Sequence, residues 1–277
     1  MPAKHRLPVF FLLCFLASSL IACNLLSEVT VNGTPVVSSG STPTMPGLDA
    51  PLNAWAQVAP GVEIRAEYWK SAGKNEDTVI ITRLDLRQVH ISIGYQPDKP
   101  LTMSEWMNQA QARVIINGGY FDKNNRPTGL LVSDGTVTGT SYQGFGGMLA
   151  VDSQNHVTLR SLRQQPYKAS LDRLQQATQS SPMLMLDGKR TQFDSNAASQ
   201  RRSVAAMDKQ GRLLFIVSPA QSFSLDELAD LLVASDLSLQ SALNLDGGAS
   251  TGLYVRGKDK KVSVDALTPL PIVIIVK

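Results

Sequence analysis

The feature that most constrains the fold is a succession of short apolar segments that end at turns rich in glycine, asparagine or aspartate. In several segments apolar residues alternate with polar ones, as at Val89, Ile91 and Ile93, which is typical of a half-buried strand. Predicted strands cover residues 62–68, 78–84, 87–95, 113–116, 130–134, 147–151, 157–159, 183–186, 203–207, 213–217, 242–245, 253–256 and 272–276.

Helices are predicted at only a few places. Thr102 with Glu105, and Ser224 with Glu227, have the spacing of a capping box, so a helix is expected to begin at each. Segment 170–177 is predicted to form a third helix. Many strands, few helices and no regular strand–helix alternation indicate an α+β fold. We therefore expect a single domain of mixed, mostly antiparallel sheets with two or three short helices.

The first residues have the composition of a secretory signal. Lys4 and Arg6 precede an apolar run, residues 7–22, that is shorter than the roughly 20 residues a membrane-spanning helix needs. The run ends in a Leu-Ile-Ala-Cys sequence that resembles a bacterial lipobox. We expect residues 1–22 to be removed and Cys23 to carry a lipid. An ordinary signal peptide or an uncleaved anchor is the alternative interpretation.

The segment that follows Cys23 is rich in Ser, Thr and Pro and has almost no charge. Such a composition cannot bury enough apolar surface to offset chain entropy. Residues 23–58 are therefore predicted to be a disordered tether, and residues 59–277 to form the folded domain. Lipid on Cys23 would hold that domain on a membrane. We predict an exported protein, lipid-anchored at the bacterial cell envelope, on the outer membrane or the outer leaflet of the cell membrane.

Charge and cysteine content exclude several classes of protein. The formal net charge is +3 and drops to +1 once Lys4 and Arg6 are removed, so the chain lacks the basic surface of a nucleic-acid-binding protein. The two cysteines, Cys14 and Cys23, both precede the folded part. That part therefore has no disulfide, thiolate zinc site or cysteine nucleophile. The sequence requires no cofactor.

Two glycine turns carry polar side chains of the kind that perform chemistry. In residues 117–119 and 246–248 an apolar strand is followed by Asn or Asp and then a glycine pair. Glycine lets the backbone approach a ligand closely, and successive N–H groups can bind an anion. In the alternative interpretation both are tight turns whose Asn and Asp bind their own backbone. If the two strands are neighbours, one cleft receives the side chains of Asn117, Asp122, Asn244 and Asp246.

These turns, together with other blocks in the same order, resemble the phosphodiester glycosidase domain family. The similarity spans about residues 61–277. Two departures are mild: Ser203 stands where the family usually has threonine, and Ala249 where glycine is frequent. The matching blocks are Asn117-Gly118-Gly119-Tyr120-Phe121-Asp122, Pro127-Thr128-Gly129-Leu130, Asp134-Gly135, Ser181-Pro182-Met183-Leu184, Asp187-Gly188-Lys189, Arg202-Ser203 and Asn244-Leu245-Asp246-Gly247-Gly248-Ala249-Ser250-Thr251.

The resemblance implies hydrolysis of sugar-1-phosphodiesters, which releases free sugar and a phosphomonoester. It implies a carbohydrate-phosphate substrate, with Asp246 first and Asp122 second as catalytic carboxylates. Arg202 would bind the phosphate through charge-assisted bonds, which arginine can make in bidentate form. The other expected substrate-binding residues are Asn117, Gly118, Gly119, Asn244, Gly247, Gly248 and Ser250.

Two other functions stay open on the sequence alone. One is a non-catalytic lipoprotein that binds glycans or phosphoglycans in the same cleft. The other is a lipoprotein of envelope structure or assembly, in which the glycine turns serve folding only. A divalent cation held by Asp122, Asp187 and Asp246 is a further alternative for the site.

Overall fold

The computed structural model describes residues 49–194, 198–258 and 261–277. The predicted signal, Cys23 and the tether up to residue 48 lie outside the described residues. The described elements, in chain order, are β1 (Ala56–Ala59), β2 (Val62–Lys70), β3 (Glu76–Leu84), β4 (Ile91–Tyr95), α1 (Met103–Ala110), β5 (Val114–Asn117), β6 (Leu131–Ser133), β7 (Thr136–Thr138), β8 (Gly147–Asp152), β9 (Val157–Ser161), β10 (Leu174–Ser180), β11 (Met183–Leu186), β12 (Lys189–Arg190), β13 (Gln200–Asp208), β14 (Leu213–Phe223), α2 (Leu225–Ala234), β15 (Leu239–Asn244), a 3-10 turn (Gly248–Ser250), β16 (Leu253–Arg256), β17 (Lys261–Val264) and β18 (Ile272–Val276).

The strands form three sheets, and the pairs of named strands in them are antiparallel. Sheet I has eight strands in the order β1-β2-β3-β14-β13-β15-β11-β12. Sheet II has five, β7-β6-β10-β8-β9, and sheet III has five, β17-β16-β5-β18-β4. The strands that carry the two glycine turns belong to different sheets, because β5 lies in sheet III and β15 in sheet I.

One hydrophobic core is shared by all three sheets. Ile64 of sheet I, Leu149 of sheet II and Ile116 of sheet III are all fully buried in it. The two helices cover outer faces: α2 packs Leu228 against sheet I, and α1 packs Trp106 against sheet III. Since the sheets enclose the core and the helices lie outside it, the sheets rather than the helices position the residues at the strand ends.

Both predicted capping boxes are confirmed. The Glu105 backbone N–H donates to Thr102 Oγ1 at 3.3 Å, and Thr102 N–H donates to the Glu105 carboxylate at 2.8 Å. The same reciprocal bonds join Ser224 and Glu227 at 3.2 and 3.0 Å. Each box satisfies backbone donors that the first turn of a helix leaves free.

The predicted α+β class is wrong, because the fold is mostly β. Strands hold 47% of the described residues and helices only 9%. The predicted third helix over 170–177 is also wrong, since β10 begins at Leu174 and pairs with both β8 and β6. The Gln176 amide oxygen in this strand is buried and accepts the Ile93 N–H at 2.9 Å. Pairing on both sides thus overrides the helical propensity of the segment.

Residues just before 59, which the sequence analysis assigned to the tether, pack against the domain. Ala50 and Val58 are buried in the shared core, and β1 pairs with β2. The folded part therefore begins before residue 59. Within the described ranges, no helix is both long and apolar enough to span a bilayer.

Candidate active site

The two glycine turns, more than a hundred positions apart in the sequence, are hydrogen-bonded to each other. Asp246 N–H donates to the Gly118 carbonyl at 3.1 Å, and the Asn117 side-chain amide donates to the Asp246 carbonyl at 2.6 Å. Leu245 N–H binds the Ser203 carbonyl at 2.9 Å, which brings in β13 as a third strand. The site therefore lies where sheets I and III meet.

Asn117 holds this junction together. Its side-chain oxygen accepts bonds from the Ser203 hydroxyl at 2.7 Å and from the Gly252 N–H at 3.2 Å. Its amide nitrogen donates to the Asp246 carbonyl, so both ends of the side chain are hydrogen-bonded to the protein. The residue is 1% exposed. Asn117 is thus placed to position the two turns. The sequence analysis predicts that it binds substrate, and its hydrogen bonds favour the positioning role instead.

Asp246 presents a half-buried carboxylate at this junction. One oxygen accepts the Gly247 N–H at 2.9 Å, and the Ser250 hydroxyl also hydrogen-bonds the carboxylate. Burial nevertheless dominates and raises the pKa of Asp246 above its ordinary value. A carboxylate with a raised pKa binds a proton more readily, which suits it to accept one from water.

The glycine pair after Asp246 is required by the geometry of the turn. Gly248 has φ +59°, a conformation that residues with a Cβ rarely adopt, and a Cβ on Gly247 would lie 2.9 Å from the Arg201 carbonyl. Ser250 follows in a 3-10 turn and is buried. These residues act on the Asp246 carboxylate, and their predicted contact with a substrate stays a prediction.

The first glycine pair allows close packing, Gly118 within sheet III and Gly119 against sheet II. A Cβ on Gly118 would lie 2.5 Å from the Ile272 side chain, and one on Gly119 would lie 2.1 Å from the Gln179 carbonyl. Gly119 N–H donates to the Thr178 hydroxyl at 3.3 Å. The pair therefore lets β5 run close to β18 and β10, rather than approach a ligand.

Asn244 and Tyr120 form a second polar group beside the carboxylate. The Asn244 amide nitrogen donates to the Tyr120 hydroxyl at 2.8 Å and to the Ser181 carbonyl at 2.9 Å. Its oxygen is buried and has no hydrogen-bond partner among the described residues. Burial, then the negative charge of Asp246, raise the pKa of Tyr120 to about 12, so its phenol stays protonated at neutral pH.

Arg202 lies next to this group and is almost fully buried. Its Nε donates to the Phe223 carbonyl at 3.0 Å, and Nη2 donates to the Ala198 carbonyl at 2.7 Å. Nη1 has no protein partner within the described part of the chain. Burial lowers the pKa of Arg202, and its positive charge acts on Tyr120. Nη1 is therefore available to bind an anion.

The register of the strands brings Arg202 towards Asp246. Val204 of β13 is paired with Asn244 of β15, so two residues further on Arg202 comes opposite Asp246. Arg201 points to the other face, where it donates to the Pro219 and Asp265 carbonyls at 2.9 and 2.8 Å. Two arginines adjacent in sequence are thus both buried, and only Arg202 belongs to the site.

A sequence model of the phosphodiester glycosidase family matches residues 110–277, more than half of the chain. The chain belongs to the phosphodiester glycosidase family. The matched residues include the strand ends and both glycine turns described above. No curated protein sequence matches the chain.

Solved structures with the same fold include three at low sequence identity. The catalytic domain of zebrafish N-acetylglucosamine-1-phosphodiester alpha-N-acetylglucosaminidase, auto-inhibited by its pro-peptide, has a TM-score of 0.63 at 17% identity, over 80% of this chain and 85% of that one. A protein from Synechocystis has a TM-score of 0.54 at 16% identity, over 78% of this chain and 62% of that one. An exported protein from Burkholderia pseudomallei has a TM-score of 0.53 at 13% identity, over 73% and 74%.

The phosphodiester glycosidase domain does not bring Asp122 to the carboxylate of Asp246, contrary to the sequence-based expectation of one cleft. Asp122 is exposed, and its carboxylate accepts the N–H groups of Asn124 and Arg126 at 2.8 and 2.9 Å. These bonds lower the pKa of Asp122. Its charge acts on Tyr95, not on Tyr120. Asp122 therefore fits the alternative interpretation, an aspartate that satisfies a turn.

The three-aspartate cation site is not assembled either. Asp187 follows β11 and accepts the Gln240 amide at 3.3 Å, while Asp122 is committed to its turn. No group of three or more His, Cys, Asp or Glu residues that could hold a metal occurs in the described ranges.

Two tyrosines of the site were missed by the sequence reasoning. Tyr120 lies inside a matching block, directly after the first glycine pair, but a tyrosine at a strand end also suits a hydrophobic core. The charge of Asp246 raises the pKa of Tyr142 as well, although burial is the larger cause. The Tyr142 hydroxyl shares a 2.6 Å hydrogen bond with Thr128 Oγ1. Thr128 belongs to a block that matches the family, and this was the one sequence signal that could have pointed to Tyr142.

Proposed function

We propose that this phosphodiester glycosidase domain hydrolyses sugar-1-phosphodiesters. The observation that carries the proposal is the half-buried Asp246 carboxylate, whose pKa burial raises, together with Tyr120, on which the charges of both Asp246 and Arg202 act. Family membership supplies the reaction class, and the named zebrafish enzyme acts on an N-acetylglucosamine-1-phosphodiester.

In the proposed reaction a water oxygen bonds to the anomeric carbon as the bond from that carbon to the phosphate oxygen breaks. Asp246 takes the proton that the water loses, which its raised pKa favours. The leaving phosphomonoester is a weak base and needs little protonation. The free Nη1 of Arg202 donates to the phosphate, and Tyr120 holds Asn244 and Ser181 in place beside it.

The test compares the two aspartates that the resemblance implies as catalytic, Asp246 first and Asp122 second. Purified residues 49–277 are assayed with UDP-N-acetylglucosamine, UDP-glucose and the methyl phosphodiester of N-acetylglucosamine-1-phosphate, with and without chelator. We expect release of free sugar and a phosphomonoester. Asp246→Asn should lower kcat by about a thousandfold, in the range general-base removal costs. Asp122→Asn should stay close to wild type, because asparagine also accepts the turn hydrogen bonds.

Three results would count against this proposal. An Asp246→Asn variant that folds and retains the wild-type rate removes Asp246 from the chemistry. A wild-type protein that binds these compounds but never turns them over supports the non-catalytic, phosphoglycan-binding alternative. A protein that neither turns them over nor gains thermal stability from them favours the role in envelope structure or assembly.

We also propose that the domain works at the cell envelope, anchored through a lipid on Cys23. The support is the apolar run that ends in the lipobox-like Leu-Ile-Ala-Cys sequence. A carbohydrate-phosphate polymer of the envelope is a substrate that a tethered domain could reach.

A further inference from the structure

Basic residues lie side by side across one end of sheet III, on neighbouring strands. Arg256, at the end of β16, is paired with Lys261 of β17, and its N–H donates to the Arg113 carbonyl at 2.8 Å. Arg113 directly precedes β5, and its N–H donates to the Val276 carbonyl of β18 at 2.8 Å, so Lys277 follows at the same level. We call Arg113, Arg256 and Lys261 the basic row.

The charges of the basic row repel one another and have no internal counter-ion. Like charges directly opposite on neighbouring strands are destabilising, and Arg256 lies between two of them. None of the three side chains forms an ion pair with a carboxylate in the described ranges. Arg256 and Arg113 instead donate to neutral oxygens, of the Asn108 side chain at 2.8 Å and of the Pro60 carbonyl at 3.1 Å.

The basic row is also open to solvent. Arg256 and Lys261 are exposed, and Arg113 is half-buried. A set of adjacent cations that costs stability and is balanced by no carboxylate of its own is suited to bind a negatively charged partner. Because the row extends across three neighbouring strands, a partner that presents several negative charges over a surface fits it better than a single small anion.

The described part of the chain begins at the basic row. The N–H of Asp49, the first described residue, donates to the Lys261 carbonyl at 3.2 Å, and its carboxylate accepts the Lys261 N–H at 3.0 Å. That carboxylate adds one negative charge beside three positive ones. About 25 residues of the chain lie between Asp49 and Cys23. A lipid on Cys23 would therefore bring this end of the domain to the membrane at a high local concentration.

The basic row and the candidate active site lie at opposite ends of the same strands. β5 begins after Arg113 and ends at Asn117, whose amide binds the Asp246 carbonyl, and four residues of a strand span about 14 Å. β16 runs in the opposite direction: the N–H of Gly252, just before it, binds Asn117, and Arg256 ends it. A surface that contacts the basic row is thus at the far end of these strands from Asp246.

We propose that the basic row binds the surface of a membrane that contains anionic phospholipid, and so orients the domain with Asp246 away from the bilayer. Two observations select this partner: the unpaired positive charge is spread across neighbouring strands, and the segment that leads from the predicted lipid anchor joins the domain there. The inference rests on the proposed envelope location for its setting and is independent of the proposed hydrolysis. It implies that the substrate lies beyond the membrane surface.

The experiment measures how the unlipidated chain binds to vesicles of two compositions. Residues 24–277, the predicted mature chain without the lipidated cysteine, are mixed with vesicles of phosphatidylcholine alone or of phosphatidylcholine and phosphatidylglycerol at about 3:1, and are then sedimented. At about 50 mM salt we expect at least about tenfold stronger partitioning onto the anionic vesicles. At about 500 mM salt the preference should disappear, because salt screens exposed charges.

Variants of the basic row should remove that preference. Arg256→Gln combined with Lys261→Gln, at two exposed positions, should lower the ratio of anionic to neutral partitioning several-fold, and Arg113→Gln in addition should bring it close to one. The matched control removes the same charge at the other end of sheet III. Lys99→Gln combined with Lys123→Gln, at exposed positions in the loops after β4 and β5, should keep the full ratio.

The outcomes separate this inference from the other proposals. Equal partitioning onto the two kinds of vesicle overturns it, and so does a preference that the row variants leave intact or that the control pair lowers equally. Salt-sensitive binding to duplex DNA without binding to anionic vesicles assigns the row to another polyanion and also overturns it. Vesicle binding by a chain that shows no turnover leaves the inference standing and rejects only the hydrolysis, and the absence of lipid on Cys23 would reject only the anchor.

Discussion

At Asp246, burial and hydrogen bonding act on one carboxyl group in opposite directions. Burial raises its pKa, while the Ser250 hydroxyl and the Gly247 N–H stabilise the charged form and lower it. The net direction is upward, so the group keeps its proton to a higher pH than an ordinary aspartate. The turn thus sets the pH range in which Asp246 is free to accept a proton.

This balance predicts the pH dependence of activity. If Asp246 acts deprotonated, the acidic limb of the kcat/KM profile lies above the ordinary aspartate pKa of about 3.9. Ser250→Ala removes a bond that favours the charged form, so the limb should move to still higher pH. Profiles of kcat/KM from pH 3 to 9, measured on the methyl phosphodiester of N-acetylglucosamine-1-phosphate, test this shift. The variant Ser263→Ala, at an exposed serine, is the control. A limb that does not move, or that moves to lower pH, contradicts the role given to Ser250.

Single residues also show what the sequence could and could not reveal about the site. The family resemblance, rather than the glycine turns alone, singled out both Asp246 and Asp122. Asp122 comes three residues after its glycine pair, and local N–H groups bind its carboxylate. The sequence does not show which partners such a carboxylate will bind. Asn117 looked like a ligand because the sequence does not show that four backbone and side-chain partners surround its amide.

Among the elements, β10 is cross-linked to segments that are distant in the sequence. It is polar, yet Gln176 and Gln179 are buried. The Gln176 amide oxygen accepts the Ile93 N–H of β4, and the Gln179 amide oxygen accepts the N–H groups of Leu130 and Tyr142 in loops. A buried polar side chain is stable only when such partners are present, and these partners are distant in the sequence. Strand prediction from alternation therefore failed at β10, whereas the capping boxes of both helices are local and were predicted correctly.

The close approach of β5 to β10 gives a prediction on stability. Gly119→Ala would place a Cβ 2.1 Å from the Gln179 carbonyl, so a backbone must move, and we expect a loss of about 3 kcal/mol or more. Gly144→Ala is the matched control: φ is +73° but nothing lies within 4 Å, so only about 1–2 kcal/mol of backbone strain is expected.

Thermal unfolding of residues 49–277 measures the difference between these two glycine variants. At about 2–4 °C per kcal/mol for a domain of this size, Gly119→Ala should unfold well below Gly144→Ala. Equal melting temperatures for the two variants would show that β5 and β10 tolerate a wider spacing. The first glycine pair would then need a different explanation.

For the whole molecule, the sequence predicts a lipidated cysteine, then a tether, then the folded domain, in that order along the chain. The described residues begin at Asp49, so about 25 residues separate Cys23 from them, by the numbering of the chain. In the arrangement that we propose, this segment is the tether that the sequence predicts, and it would let the domain move within a limited distance of a membrane.

Lipid attachment predicts a labelling result with a matched control. The full chain, expressed in a bacterium supplied with radiolabelled palmitate, should incorporate label and sediment with membranes. Cys23→Ala should abolish the label, while Cys14→Ala, at the other cysteine, should retain it. Label that persists after Cys23→Ala would contradict the lipobox interpretation.

The strand order of sheet III has a consequence for when activity can arise. β18 (residues 272–276) lies between β4 and β5 and pairs with both. The two earlier strands therefore have their places in sheet III only when β18 is present. β5 ends at the turn that holds Asp246, and Gly118 N–H binds the Ile272 carbonyl at 3.0 Å. In the export that we propose, a chain that crosses the membrane from its N-terminus would therefore lack an assembled candidate active site until β18 has also crossed.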